Sequence, residues 1–381
     1  MHERSVLGPA DVSDHELAAM VAESFGIASV DLLSSHAEVA SYDLDALTTG
    51  GRFWVRGRAR IGTRDATYAF FVKVVRSWAR SPLFQFVPEE HRAAALELVP
   101  WRSEPLIYQS DLAARLPAGL TMPRAHAVID LDDESAALWL EAVDTAPTTW
   151  SVEKLAHAAY LLGRLAASPD VRRLARVGDF DGKRTVRAYA EGRVALQVVP
   201  ALRSDDVWNH PLVAATFDDQ LRKDLLRAAD ALPDIVDELE TMPIGTSHGD
   251  ACTRNLLVTP ATTDLVLIDY GFWGEAPLGF DLSQLLVGEV QLGERSATCL
   301  PALEAACLPA YVRGLHDEAC DIPLEVVRRS HALSMVLFSG VSAVPFEHLG
   351  TEPTPELQRI AGERAASARF ILDLLAETSA H

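Results

Sequence analysis

The apolar positions Leu17, Met20, Val21 and Phe25 recur at helical spacing and predict a short amphipathic helix over residues 14–25. From there the period changes. Residues 43–46 lead into Leu47-Thr48-Thr49-Gly50-Gly51, a turn signal, after which residues 52–61 alternate aromatic and β-branched side chains with arginine. A second turn, Gly62-Thr63-Arg64-Asp65, precedes residues 67–75, Thr-Tyr-Ala-Phe-Phe-Val-Lys-Val-Val, the strongest strand signal in the chain. Together these read as an antiparallel meander. Helices are predicted at 89–98 and 104–116, the second ending before Pro117, and strands at 125–130 and 136–143.

Past residue 152 the spacing is that of helices: 152–167, 185–198, 218–232 and 233–241, then 281–288, 302–316, 324–342 and 354–378. One interruption, residues 247–273, reads as short strands and turns. The pattern predicts an α+β fold of two lobes, residues 1–143 and 144–381. An antiparallel sheet with a helix forms the first, the second is mostly helical, and a connector near 144–149 joins them. A cleft between lobes is where ligands commonly sit.

Composition removes several alternatives. Length and the 49% apolar and 23% charged fractions fit a globular chain with a sizeable core. The least polar long stretch, 332–344, falls short of the ~20 residues a membrane helix needs, and the N-terminal residues lack the features of a secretory signal. A cytoplasmic protein is expected. Cys252, Cys299, Cys307 and Cys320 show no disulfide or zinc spacing and are expected as free thiols. A net charge of −20 argues against a nucleic-acid partner; it bears first on solubility, and by steering would favour a cationic ligand. Only Lys73, Lys154, Lys183 and Lys223 among the 34 cationic residues are lysines. Lys73 stands out because it interrupts an apolar strand, where an unpaired ammonium is costly.

The chemistry-bearing residues concentrate in the 247–273 insert. His248-Gly249-Asp250-Ala251-Cys252-Thr253-Arg254-Asn255 precedes the apolar run 256–258, and after a turn at 259–264 a second run ends at Ile268-Asp269-Tyr270-Gly271. Pairing the runs as a hairpin brings Asn255 and Asp269 to one edge, with Asp250 in the loop beside them. Magnesium takes carboxylate and amide oxygens together with substrate phosphates. Phosphoryl transfer asks a protein mainly for positioning and charge neutralisation. Asn255 and Asp269 suit the metal, and Asp250 is left to accept a hydroxyl proton. A thiol nucleophile at Cys252 would leave this carboxylate and amide pattern without a purpose.

These residues resemble the aminoglycoside phosphotransferase and choline kinase group of small-molecule kinases, distant relatives of protein kinases. His248-Gly249-Asp250 with Asn255 resembles the family's catalytic loop, and Ile268-Asp269-Tyr270-Gly271 its metal-binding segment. Pro277 to Leu286 resembles the continuation whose aspartate, here Asp281, braces the loop; His248 is expected to shape it. The resemblance implies a protein-kinase-like fold with a nucleotide-binding N-terminal lobe. It makes Lys73 the contact to the nucleotide's α- and β-phosphates, Glu104 its carboxylate partner, and Gly50 and Gly51 part of the turn over the phosphates. Residues 139–143, with Glu141 and Val143, would be the hinge strand that holds the base. ATP or GTP and magnesium are the implied co-substrate and ion.

The expected activity is transfer of the terminal phosphate to a hydroxyl of an antibiotic, amino sugar or amino alcohol, in a monomer or homodimer without a nucleic-acid or membrane partner. The acceptor site is expected in the helical lobe from residues 176–216 and the C-terminal helices, with Tyr189, Trp208, Phe217, Glu289, Asp317 and Glu318 as candidates. Two other readings remain: a catalytically silent nucleotide-binding protein of the same fold, and a protein kinase. The first would lack a catalytic group. The second is disfavoured by the absence of an activation-segment signature and by the compact stretch between Asp269 and Asp281.

Overall fold

The computed structural model describes residues 2–41, 46–146, 148–177, 186–260 and 263–379. The N-terminal lobe is a six-stranded sheet of β1 (His2–Glu3), β2 (Asp31–Val39), β3 (Thr49–Ile61), β4 (Arg64–Arg76), β6 (Ala125–Asp132) and β7 (Ser135–Glu141), ordered β1-β2-β3-β4-β7-β6. β1 runs parallel to β2 and every other pairing is antiparallel. Alternation in β4 divides the two faces. Tyr68, Phe70 and Val72, with Ala137 and Trp139 of β7, pack on Leu17, Met20 and Val21 of helix α1 (Asp14–Ser24). The opposite face, with Phe71, Val75, Leu138 and Leu140, joins the core of the second lobe. Lys73 lies on that face, opposite Arg52 of β3 and Leu138 of β7. Because both faces of β7 are covered, its apolar run is nearly unbroken.

Helices α2 (Arg92–Leu98) and α3 (Ser103–Gln109) follow the sheet's central hairpin. The two-residue strand β5 (Leu120–Thr121) reaches out of the first lobe to pair with β10 (Leu265–Leu267), which pairs in turn with β9 (Leu256–Val258). β8 (Ile244–Ser247) and β11 (Gly274–Pro277) form a separate ribbon. Around them stand α4 (Val152–Ala167), α5 (Asp219–Asp230), α6 (Leu232–Thr241), α7 (Phe280–Gln291), α8 (Leu300–Asp317), α9 (Leu324–Met335) and α10 (Pro355–Ser379). Among the described residues no helix is long and apolar enough to cross a membrane.

Several local expectations change. β2 was not anticipated, because its sequence Asp-Leu-Leu-Ser-Ser-His-Ala-Glu-Val places only Ser35 and Ala37 in the buried class. Helix α3 stops at Gln109 rather than 116, where the Ser110 hydroxyl donates to the Ile107 carbonyl and ends the ladder. The helix expected over 324–342 changes to π winding at Val336–Gly340. Residues 43–45, Lys183 and Thr185, the first residue of the predicted 185–198 helix, lie outside the described residues.

Candidate active site

The catalytic-loop candidate follows β8 and is held from beneath by one carboxylate. Asp281, in the first turn of α7 and 3% exposed, accepts hydrogen bonds from the Ser247 hydroxyl at 2.8 Å, the His248 N–H at 2.8 Å and the Gly249 N–H at 2.9 Å. It makes no cap to its own helix. Gly249 has φ 84°, and a Cβ there would stand 2.0 Å from the Phe272 carbonyl oxygen, so only glycine fits beneath the 270–273 turn. His248 is fully buried. Its Nε2 lies 3.0 Å from the Ile268 carbonyl oxygen, while the Asp250 N–H donates to Nδ1 at 3.3 Å. A carbonyl can only accept and an N–H can only donate, so the ring proton belongs on Nε2. The imidazole therefore ties the loop to the strand end ahead of Asp269.

Asp250 projects from this loop. The Asn255 amide nitrogen donates to both the Asp250 carbonyl and its carboxylate Oδ2, each at 2.9 Å. Burial pushes the Asp250 carboxyl above its ordinary value, with Asp269 and Asp281 adding to the rise and the Asn255 amide opposing it. The hairpin pairs Leu256 with Leu267, and the Ile268 N–H donates to the Asn255 carbonyl at 3.1 Å, so Asn255 and Asp269 leave the hairpin at the same edge. Asp269 has φ 65° and ψ 70°. This left-handed conformation is sparsely used by residues other than glycine and collects at functional sites.

Across the lobe boundary, Lys73 Nζ lies 2.6 Å from Glu104 Oε2 and 2.9 Å from Asp269 Oδ1. Lys73 is 4% and Glu104 3% exposed. One buried ammonium between two carboxylates sets the electrostatics. Burial works against charge on Lys73, but Asp269 and Glu104 outweigh it and raise its pKa. Burial also penalises Asp269, yet Lys73 and then Arg52 hold its carboxyl below the ordinary range. The excess negative charge is expressed at Glu104, which burial raises despite Lys73. Helix α3 presents Glu104 and Tyr108 four residues apart on one face. Tyr108 packs edge-on against Tyr270 with ring centroids 5.6 Å apart, which couples the helix carrying Glu104 to the turn carrying Asp269.

The structure thus brings together Lys73, Glu104 and Asp269 in one cluster, and Asp250, Asn255, His248 and Asp281 in an adjoining one. Gly50 and Gly51 differ from expectation: they belong to the start of β3, at a bulge opposite Val74 and Val75, and not to a turn. Glu141 ends β7, with its carboxylate accepting from the Arg124 N–H at 3.1 Å, and Val143 lies two residues on, beyond the strand. Burial pushes the Cys252 thiol up to about 12, which keeps it protonated. Arg52 and Tyr108 escaped the sequence reading. The signal for Arg52 was its place in the meander, since register with Lys73 puts both side chains on one face.

Asp250 and Gly249 also line a cavity of about 1250 Å³, whose lining includes none of Lys73, Glu104, Asn255 and Asp269. The expected stretch 176–216 supplies Arg176, Arg193, Leu196 and Gln197 to its lining, but of the six side chains named as acceptor contacts only Tyr189 lines it. Trp208 and Phe217 are buried in the core, Glu289 bonds Thr253 and Arg295, and Asp317 and Glu318 tie α8 to Tyr160 and Arg164 of α4.

A sheet lobe with a buried Lys–Glu pair, set over a His-Gly-Asp loop and the Asp269 carboxylate, is the arrangement of the two-lobed protein-kinase-like class. The chain belongs to the phosphotransferase enzyme family (APH), which it matches over residues 74–319, and is a phosphotransferase with a hydroxyl acceptor. No curated protein matches it significantly in sequence. An aminoglycoside phosphotransferase from Alicyclobacillus acidocaldarius is similar in structure, with 17% identity, a TM-score of 0.50, and coverage of 90% of this chain and 98% of that one. A choline kinase from Cryptosporidium parvum shares 14% identity over 90% and 91% of the two chains, with a TM-score of 0.46. At 17% identity the likeness to the Alicyclobacillus protein is one of fold.

Proposed function

We propose that this protein is a small-molecule kinase that transfers the terminal phosphate of ATP or GTP to an acceptor hydroxyl, with Asp250 as general base. The observation that carries the reading is the position of Asp250. Its carboxylate is held by Asn255, lines the large cavity, and adjoins the Lys73–Asp269–Glu104 cluster without belonging to it. An acceptor in the cavity would present its hydroxyl to Asp250 while the nucleotide lies against Lys73. The proton passes to the Asp250 carboxylate, the acceptor oxygen bonds the terminal phosphorus, and the bond from that phosphorus to the bridging oxygen breaks.

The residues fit a magnesium ion. The Asn255 amide nitrogen is committed to Asp250, which leaves its oxygen for a hard cation, and Asp269 brings a carboxylate. Among the described residues no group of three or more His, Cys, Asp or Glu side chains that could hold a metal ion is present; magnesium takes much of its coordination from substrate phosphates. When bound, the ion neutralises phosphate oxygens. Lys73 reaches the α- and β-phosphates, Glu104 holds it in place, and the backbone at Glu141 and Val143 receives the base. The acceptor belongs to the hydroxylated small molecules, with antibiotics, amino sugars and amino alcohols as the starting candidates.

Asp269→Ala tests the metal assignment. Magnesium-nucleotide affinity, measured by calorimetry, should fall at least tenfold, about 1.4 kcal/mol. An unchanged affinity in the presence of magnesium would remove Asp269 from the role.

A further inference from the structure

We propose that the acceptor is a large, uncharged, hydroxylated molecule with an extended apolar face, and not a polycation or a small amino alcohol; this rests on Asp250 being the base. Size comes first. The cavity, at about 1250 Å³, exceeds the ~300–1,000 Å³ of ordinary ligand sites. A choline-sized acceptor would leave most of it filled with water.

Charge points the same way. Although the whole chain carries −20, the described lining holds four carboxylates, including Asp250, against three arginines. The three carboxylates other than Asp250 are already engaged by arginine: Glu275 with Arg176 at 2.8 Å, Glu240 with Arg187 at 2.7 Å and Glu347 with Arg364 at 2.6 Å. Arg176 and Arg364 themselves line the cavity, as does Arg193. A polyammonium ligand would have to displace these guanidinium groups to find partners.

Exposure is the independent observation. Large apolar side chains left in water are uncommon when clustered, and a cluster marks a binding surface. Among the described residues, four of the nine exposed large apolar side chains line this one cavity: Phe86 at 75%, Ile244 at 47%, Leu196 at 46% and Phe272 at 41%. Tyr189, which also lines the cavity, stacks on Phe338 with centroids 4.4 Å apart and an interplanar angle of 22°, and Phe280 meets Phe338 edge-on. All three rings line the cavity and extend its apolar surface, to which an extended apolar ring system is complementary. Gln197, Gln284 and Ser339 supply neutral hydrogen-bonding groups suited to hydroxyls.

The test uses the full chain and the uncharged dye N-phenyl-1-naphthylamine, whose fluorescence rises in apolar surroundings. Saturable binding is expected, displaced by an uncharged macrolactone polyol or sterol polyol at lower concentration than by kanamycin or choline. Phe86→Asp and Leu196→Asp, both at exposed positions, should each weaken dye binding roughly tenfold or more, with magnesium-nucleotide affinity as the folding control. Failure of the dye to bind, intact binding in both variants, or displacement by kanamycin or choline at the lower concentration overturns the proposal. Phosphorylation of kanamycin or choline in preference to every uncharged polyol overturns it as well while leaving the kinase reading in place. Loss of magnesium-nucleotide binding by the wild-type chain would strike the kinase reading itself, whatever the dye shows.

Discussion

Asp281→Ala removes one acceptor from three donors at a place where water cannot substitute. The Gly249 N–H retains the Ser247 hydroxyl at 3.0 Å, but the His248 N–H and the Ser247 O–H lose their 2.8 Å bonds at a fully buried position. An orphaned buried donor costs about 1–3 kcal/mol, and bonds to a charged group contribute about 1.5–3 kcal/mol net. Against this stands relief from desolvating the carboxylate, which makes a net loss of about 2–3 kcal/mol the expectation. For a cooperative unit of about 150–250 residues that is a drop in Tm of roughly 4–12 °C. The loop carrying Asp250 should also shift, and a displacement of ~1 Å costs roughly a hundredfold in turnover. Scanning calorimetry, turnover and nucleotide affinity are read together. Affinity should fall less than turnover, because Lys73, Glu104 and Asp269 make no bond to Asp281 while Asn255 shares the loop with Asp250. Asp281→Asn, which keeps one acceptor oxygen, should lie between alanine and wild type. A Tm within about 1 °C of wild type together with undiminished turnover would refute the bracing role.

Lys73→Met leaves Glu104 buried without its ammonium and should cost about 3–5 kcal/mol, recovered in part by adding Glu104→Gln. The Glu104 carboxyl already titrates above its ordinary value of 4.5. In the single variant the folded state therefore binds that proton more tightly than the unfolded chain does, and stability should fall as pH rises above about 4.5; a flat profile in urea unfolding would count against the pairing. The acid limb of the pH–kcat/KM profile should lie above 3.8, the ordinary aspartate value, because burial raises Asp250. Asn255→Ala should move that limb further up, since its amide stabilises the charged carboxylate; a downward move would contradict the hydrogen bond's role.

The local chemistry was readable because its parts are close in sequence. Asp250, Asn255 and Asp269 fall on one loop and one hairpin, whose pairing follows from two apolar runs and a turn. Lys73 was readable for a different reason: a lone lysine in an apolar strand must find carboxylates, and it has two. What escaped depends on distant segments meeting. The cavity is assembled from parts near residues 86, 196, 244, 272 and 338, and no local pattern separates Tyr189, which lines it, from Trp208, which is sealed in the core. Glu289, Asp317 and Glu318 looked like acceptor contacts because sequence shows acids without showing their arginine, threonine and tyrosine partners. β2 was missed because a mostly polar strand owes its existence to neighbours on both sides rather than to its own alternation.

The central claim is that Asp250 serves the acceptor while the Lys73–Asp269 cluster serves the nucleotide. Asp250→Ala, assayed for magnesium-nucleotide affinity and for phosphoryl transfer to the best acceptor from a hydroxylated panel, tests it directly. Affinity should stay within about twofold while transfer falls by roughly 10²–10⁴. Transfer at the wild-type rate, or a loss confined to nucleotide affinity, would contradict the claim.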